Sequence, residues 1–249
     1  MNLLAPIFAL SLPIIVIGLL AWVIKIKSIS FKHILAFSAS YLFSLTIMHL
    51  LPEVYGQSNF KLSGLFIVVG FSLQLLLENI SSGLEHGHSH HHQADCKHSF
   101  PIGIIAGLFI HSFLEGLPIY HHQISGLEES YISGDARYQL LLGLIIHNIP
   151  ISFLFVTLLK EHHQSIVKSL ILLIAFSLMA PLGYTVSYFI HKLTVLNVTD
   201  YQYITDALVI GIFLYISTAI VFETGDEHKY SFSKILIMIF GVVAAYLLS

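Results

Sequence analysis

The sequence predicts an all-α polytopic membrane protein, built as a bundle of eight transmembrane helices. Three observations lead to this fold class: an extreme hydrophobicity, long uninterrupted apolar runs, and polar residues that are mostly confined to the connections. The 249 residues are 56% hydrophobic and only 10% charged, whereas a soluble domain carries about 25% charged residues. So few charges cannot cover a water-exposed surface, and most of the surface is therefore expected to face lipid. The net charge of −3 suggests no nucleic-acid partner.

Apolar windows of roughly 20 residues, the length that a helix needs to cross the hydrocarbon core, recur along the chain. The runs are continuous rather than alternating, which favours helices over a β-barrel. The predicted spans cover residues 3–24, 31–52, 61–80, 100–120, 138–160, 166–190, 203–222 and 232–248. The two longest connections are residues 81–99 and 121–137, and no second domain fits between the spans. Residues 1–249 are thus predicted to form a single transmembrane domain.

Lysine and arginine are unequally divided between the two sides of this predicted bundle. The connections after the first, third, fifth and seventh spans carry eight of these residues, and the opposite side carries three. Because cytoplasmic loops are enriched in Lys and Arg, the first set of connections is predicted to be cytoplasmic. An even number of spans then places both termini on the extracytoplasmic side.

The fourth span contains two ionisable residues well inside its apolar run, FPIGIIAGLFIHSFLEGLPIY. They are His111 and Glu115, and their i, i+4 spacing places both on one helical face. A carboxylate at membrane depth is costly, so the pair is predicted to be a functional site that faces a cavity or the bundle interior. The alternative is a His–Glu hydrogen bond that only joins helices.

The fifth span has a histidine near its middle, His147, in the run LLLGLIIHNIPISFLF. Three residues later comes Pro150, which has no N–H to offer the carbonyl one turn back. A carbonyl freed in this way is tolerated at membrane depth where it lines a cavity or a polar site. Both His111 and His147 lie about 15 Å from a span end, counted at 1.5 Å per residue. Taken alone, His147 could be explained by a single hydrogen bond between helices. This alternative is weaker because His111 lies at a similar depth.

The second span ends in TIMHLLPE, which again pairs a histidine and an acid, His49 and Glu53, at i, i+4. His49 lies nearer the outer surface, so an interfacial histidine is an alternative to a metal ligand there. Three imidazoles and a carboxylate suit a borderline divalent cation, Zn²⁺ best, with Fe²⁺, Mn²⁺ and Cd²⁺ as further candidates. No cysteine lies in the spans, which favours reversible binding over a closed structural zinc site.

The loop between the third and fourth spans contains the His-rich tract EHGHSHHHQADCKH. The loop is predicted to be flexible and cytoplasmic, and tracts of this composition bind transition metals loosely. Sensing, buffering or receiving metal is one interpretation, and a solvated linker with incidental metal affinity is the other. The histidines concerned are His86, His88, His90, His91, His92 and His98.

The order and spacing of these motifs resemble the ZIP (Zrt/Irt-like) family of divalent metal transporters. HSFLEG at 111–116 is similar to the fourth-span signature of that family, HNIP at 147–150 to its fifth-span motif, and HLLPE at 49–53 to the end of its second span. AFSLMAPLG at 175–183 and GIFLYISTAIVFE at 211–223 resemble its sixth and seventh spans. The resemblance therefore covers most of the chain.

The resemblance implies inward transport of Zn²⁺ or related ions, which are substrates and not cofactors. It implies an elevator-like motion of one helix group against another, a 3+2+3 arrangement of the eight helices, and frequent homodimers. The primary metal ligands that it implies are His111, Glu115 and His147, with His49 completing the site. Ser112 and Asn148 occupy positions where many members have a second set of ligands.

One position departs from the family pattern. Many members follow the fifth-span proline with an acid or a histidine, whereas this chain has Ile151 and then Ser152. The acid that would bridge two metal ions is missing, and Ser112 and Asn148 are neutral, weak ligands. We therefore hypothesise a single-metal site.

Two other functions use similar residues. An intramembrane metalloenzyme needs an open coordination position and a general base, and the HExxH pattern of metalloproteases is absent, so no enzymatic activity is predicted. A metal exporter or sensor would share the same ligands, and the direction of transport rests on the resemblance alone. A short chain without a long extracellular domain favours a bacterial inner membrane, with a eukaryotic membrane as the alternative.

Overall fold

The structure is a computed structural model, and it describes residues 4–24, 28–57, 60–81, 102–120, 136–193, 198–223 and 232–248. Within these ranges every regular element is helical and no strand occurs. The prediction of an all-α protein is therefore confirmed, and the length and composition of the helices fit a polytopic membrane protein.

The helices follow the predicted spans closely. Six helical stretches in the described ranges are long and apolar enough to cross a membrane, and two shorter apolar helices, Ile102–Gly116 and Phe232–Leu247, accompany them. The eight-span count, the 3+2+3 arrangement and the side of the termini stay predictions. In chain order the helices are α1 (Leu4–Val23), α2 (Ser28–Leu45), α3 (Leu51–Gln57), α4 (Phe60–Ser81), α5 (Ile102–Gly116), α6 (Ala136–Glu161), α7 (Ile166–Ser177), α8 (Met179–Leu193), α9 (Val198–Glu223) and α10 (Phe232–Leu247).

Prolines explain why two of the predicted spans are interrupted. Helix α5 ends two residues before Pro118, which has no N–H to offer the carbonyl of Leu114; that carbonyl accepts instead from the N–H of Leu117, at 3.2 Å. The sixth predicted span is divided at Leu178 into α7 and α8, three residues before Pro181. Both interruptions have the same physical cause, since proline cannot donate to the carbonyl one turn back.

Helix α4 shows which surface faces lipid. Its residues Leu65, Val68 and Leu76 are each more than half exposed, whereas Gln74, on the opposite side of the helix, is fully buried. A large exposed apolar surface is rare on a protein surrounded by water. The exposed side of α4 is therefore the lipid-facing side, and Gln74 marks the side that faces the bundle interior.

The helices pack as two groups. The first group contains α2, α4, α9 and α10, in which α9 packs against α4 and α2, and α10 packs against α2. The second group contains α1 and α5 to α8, in which α1 packs against α6, α7 and α8, and α5 packs against α8. The two groups meet where α2 contacts α6 and where α4 contacts α5.

Glycines bring helix backbones into direct contact within each group. A Cβ atom at Gly70 of α4 or at Gly211 of α9 would meet backbone atoms of the other helix, and the same holds for Gly116 of α5 and Gly183 of α8. Between the groups, a Cβ at Gly143 of α6 would meet side-chain atoms of α2, whereas a Cβ at Gly103 of α5 would lie 3.1 Å from the Ile80 carbonyl oxygen of α4. Small residues that let backbones approach are typical of stable membrane helix pairs. At these positions the helix backbones within each group are therefore closer to each other than the backbones of α2 and α6 are at Gly143.

Contacts at the helix ends show which termini share a side. The Lys160 ammonium, at the end of α6, donates to the Ala21 carbonyl at 3.2 Å and lies 5.5 Å from the ring centre of Trp22, at the end of α1. At the start of α2 and of α10, the His33 Nε2 lies 3.2 Å from the Ser233 hydroxyl. These pairs agree with a chain that crosses back and forth, with the first and fifth spans ending on one side.

Candidate metal site

The buried face of α5 carries the polar residues that the sequence singled out. His111, Ser112 and Glu115 have no exposed surface at all. His111 and Glu115 follow each other by one turn, so their side chains extend from the same strip of the helix. Gly116, the next residue, holds α5 against the backbone of α8, which fixes the height of this strip relative to its neighbour.

Helix α6 brings a second imidazole to the same place. The helix continues through Pro150 from Ala136 to Glu161, and His147 and Asn148 near its middle are both buried. The amide nitrogen of Asn148 donates to the carbonyl of Leu144 at 3.0 Å, which fixes that side chain along the helix. His147 is therefore presented to α5 from a regular and locally constrained segment.

The three predicted primary ligands converge. Glu115 Oε1 lies 3.1 Å from Nε2 of His111 and 3.5 Å from Nε2 of His147. The two imidazole rings are 6.1 Å apart, centre to centre, and nearly perpendicular, at 80°. One ligand atom from each residue lies within 4.8 Å of the other two, and this is the one such group of His, Cys, Asp and Glu among the described residues.

The spacing of these atoms suits a transition-metal ion. In a tetrahedral zinc site with bonds of 2.0 to 2.1 Å, two neighbouring ligand atoms lie about 3.3 Å apart. The two distances to Glu115 Oε1, 3.1 and 3.5 Å, bracket this value. Two neutral imidazoles and one carboxylate also form a suitable donor set for Zn²⁺ and leave one position open. The arrangement can therefore hold a divalent ion with small adjustments of the side chains.

Each imidazole has a second polar neighbour that the sequence analysis missed. His111 Nδ1 lies 3.1 Å from Oε1 of Gln74 on α4, and His147 Nδ1 lies 3.4 Å from the hydroxyl of Ser38 on α2. Gln74 could have been noticed in the sequence, because it is a lone amide in the apolar run FSLQLLL. Ser38 has no such signal, since serine is common in membrane helices.

The two residues predicted as a possible second ligand set lie beside the cluster. Asn148 donates from its amide nitrogen to Glu115 Oε2, at 3.4 Å. Its amide oxygen and the Ser112 hydroxyl are buried and have no hydrogen-bond partner within the part of the chain that the structure describes. The amide nitrogen of Asn148 thus faces the carboxylate, and a role for Ser112 and Asn148 as a second ligand set stays a prediction.

The remaining predicted ligand, His49, is not a member of the cluster. It lies on a π-helical turn, Thr46–Leu50, that joins α2 to α3, and it is partly buried. Its Nε2 has no hydrogen-bond partner among the described residues. The π-helical turn was not predicted, and such turns occur frequently at functional sites. A role for His49 as a ligand stays a prediction.

The His-rich tract lies outside the described residues. Its role as a loose metal-binding segment therefore stays a prediction for all six histidines. They are His86, His88, His90, His91, His92 and His98.

Comparison with known protein families agrees with the chemistry of the cluster. Residues 100–249, which are 150 of the 249 residues, match the model of the ZIP Zinc transporter family. The matched region contains His111, Glu115 and His147. A search of curated proteins found no match.

Proposed function

Because the chain belongs to the ZIP zinc transporter family, whose members transport divalent metals, we propose that it carries transition-metal ions, above all Zn²⁺, into the cytoplasm. The metal is the cargo of this protein and not a cofactor, and the protein is not an enzyme. Fe²⁺, Mn²⁺ and Cd²⁺ are further candidate substrates, since imidazole and carboxylate ligands accept them too.

The observation that supports this proposal most strongly is the buried cluster of His111, Glu115 and His147. A fully buried carboxylate at membrane depth needs compensation, and two imidazole nitrogens lie within 3.5 Å of it. Helix–helix attachment alone would need only one hydrogen bond. Three ligand-type side chains with the spacing of a coordination sphere are better explained by a bound cation.

We assign the metal to His111 Nε2, Glu115 Oε1 and His147 Nε2, with His49 completing the site by analogy with the family. A single ion per chain fits the remaining residues. Where many members carry a further acid, Ile151 is buried in an apolar cluster that includes Ile14 and Phe155. No carboxylate is available at that position to bridge a second ion.

The two helix groups suggest how the ion is moved. His111, Glu115 and His147 all belong to the second group, which is held together by the backbone contacts of α5 with α8 and by the packing of α1 on α6, whereas His49 continues from α2 of the first group. In an elevator-like motion this group, with its ion, would slide against the first group. At Gly143 of α6, the contact with α2 is made by side chains of α2 and not by its backbone. Such a contact is suited to sliding.

The setting of the transporter follows from the same proposal. Eight spans in a 3+2+3 arrangement would place both termini outside and the His-rich loop in the cytoplasm, where it would meet the released ion. A bacterial inner membrane is the favoured location. The family also makes a homodimer the expected assembly.

Zinc flux into proteoliposomes tests the proposal. The purified chain should load radiolabelled Zn²⁺ into vesicles along a gradient, and unlabelled Cd²⁺ or Fe²⁺ should compete. The His111→Ala variant should lose this flux, whereas His33→Ala, a histidine at the start of α2 that bonds Ser233, should keep it. Flux at the parent rate through His111→Ala would contradict the assignment. Expression in whole cells gives the direction: cellular zinc should rise, and a fall would identify an exporter.

A further inference from the structure

The two imidazoles of the cluster use their nitrogens in the same way. In His111 and in His147, Nε2 faces the carboxylate oxygen of Glu115. Nδ1 faces a polar side chain on the other side of the ring: the amide oxygen of Gln74 for His111 and the hydroxyl of Ser38 for His147. All five side chains are at most 1% exposed. These atoms are thus shielded from bulk solvent.

We propose that Gln74 and Ser38 are positioning residues, which fix the proton of each imidazole on Nδ1 and so present Nε2 to the metal. This inference rests on the metal site proposed above and extends it to two residues that do not touch the ion. Both residues lie upstream of the segment that matches the family model, residues 100–249.

The chemistry of the two partners carries the inference. A glutamine amide oxygen only accepts hydrogen bonds, so with this oxygen toward His111 the nitrogen that faces it, Nδ1, is the donor. A neutral His111 with its proton on Nδ1 has its lone pair on Nε2, which is the form that binds a metal. The Ser38 hydroxyl can accept from Nδ1 of His147 in the same way. Metal-bound histidines in proteins usually have such a partner, and its loss costs about 10- to 100-fold in affinity.

The origin of the two partners adds a consequence for transport. Gln74 is on α4 and Ser38 on α2, both in the first helix group, whereas both histidines belong to the second group. The hydrogen bonds therefore cross the contact between the groups, at α4 with α5 and at α2 with α6. The two imidazoles therefore present Nε2 to the metal in this relative position of the two helix groups. A displacement of one group by a helical turn would remove both partners together.

Metal binding to the purified full-length chain tests the inference. Co²⁺ is the probe, because its visible absorption reports the geometry of the site as well as the affinity. The Gln74→Leu variant, which keeps the volume and removes the acceptor, should bind Co²⁺ about 10- to 100-fold more weakly and with an altered spectrum. Gln74→Glu, which restores an acceptor, should keep the parent spectrum and affinity within a few-fold. The matched control is Gln139→Leu, a buried glutamine on α6 about 12 Å along the helix from His147, which should bind like the parent.

The outcomes separate the two claims. A parent protein that binds no Co²⁺ overturns the metal site itself. A parent that binds while Gln74→Leu binds equally well, with an unchanged spectrum, overturns the positioning role alone. Equal losses in Gln74→Leu and Gln74→Glu, or in Gln139→Leu, would show that packing and not the acceptor matters, which also overturns it. If Gln74→Leu does not fold, Ser38→Ala makes the same test on His147 with the removal of one oxygen atom.

Discussion

Substitution of Glu115 by Gln should separate metal binding from folding. The carboxylate is fully buried, between two imidazole nitrogens on one oxygen and the Asn148 amide on the other. Glutamine has the same shape without the charge. Burying a charge is costly, so in the absence of metal Glu115→Gln should unfold at the parent temperature or above it. The same change removes the anionic ligand, so stabilisation by added metal should be lost.

The size of the effect follows from linkage. An ion that binds only the folded protein stabilises it by about 2.7 kcal/mol when its free concentration is 100 times Kd. If loss of the anionic ligand weakens binding about 100-fold, the same metal concentration stabilises the variant by only about 0.4 kcal/mol. The assay is thermal unfolding of detergent-solubilised protein with and without Zn²⁺. The parent should show a clear upward shift of the midpoint, and Glu115→Gln should show almost none.

A buried acid outside the cluster provides the control. Asp206 of α9 is 4% exposed and is not a member of the metal group. The Asp206→Asn variant should therefore keep the zinc-dependent shift of the parent. Two results would contradict the role of Glu115 as a ligand: a full zinc-dependent shift in Glu115→Gln, or an equal loss of the shift in Asp206→Asn.

Three further predictions concern the packing and the loop. Gly116→Ala places a methyl group against the backbone of α8 and should lower the free energy of unfolding by about 1 to 3 kcal/mol. Its control is Gly56→Ala, in which nothing lies within 4 Å of the added atom and the melting temperature should stay within about a degree of the parent value. Deleting residues 86–98 should leave measurable zinc flux in proteoliposomes while changing its rate or its regulation, and a complete loss of flux would contradict a separate role for the loop. Ser152→Ala removes the hydrogen bond from its hydroxyl to the Ile14 carbonyl, 2.7 Å long, and should cost about 0.6 kcal/mol of stability in thermal melts without lowering metal affinity.

Much of the site could be predicted because two local rules determine it. The i, i+4 spacing of His111 and Glu115 places them on one helical face whatever the surrounding bundle is. The high cost of polar groups in hydrocarbon means that this face turns inward. His147 could be added from its depth in the next span. The structure brings these three together, with ligand atoms within 4.8 Å of one another.

Contacts between distant helices could not be predicted in the same way. That Gln74 would meet His111 and Ser38 would meet His147 depends on how α4 packs on α5 and α2 on α6, and no local periodicity encodes those pairings. The π-helical turn at His49 was equally hidden, since it inserts one residue into a regular helical pattern. The interruption at Leu178 has a visible cause in Pro181, and Ile166–Ile190 as a whole is still one stretch long and apolar enough to be the span predicted at 166–190.

The central claim is that one divalent ion binds between α5 and α6, and a zinc-soaked structure with anomalous diffraction at the zinc edge tests it most directly. One anomalous peak per chain is expected, within about 2.0 to 2.2 Å of His111 Nε2, Glu115 Oε1 and His147 Nε2. A structure with no zinc at these three atoms, or with two ions at full occupancy between the helices, would contradict it.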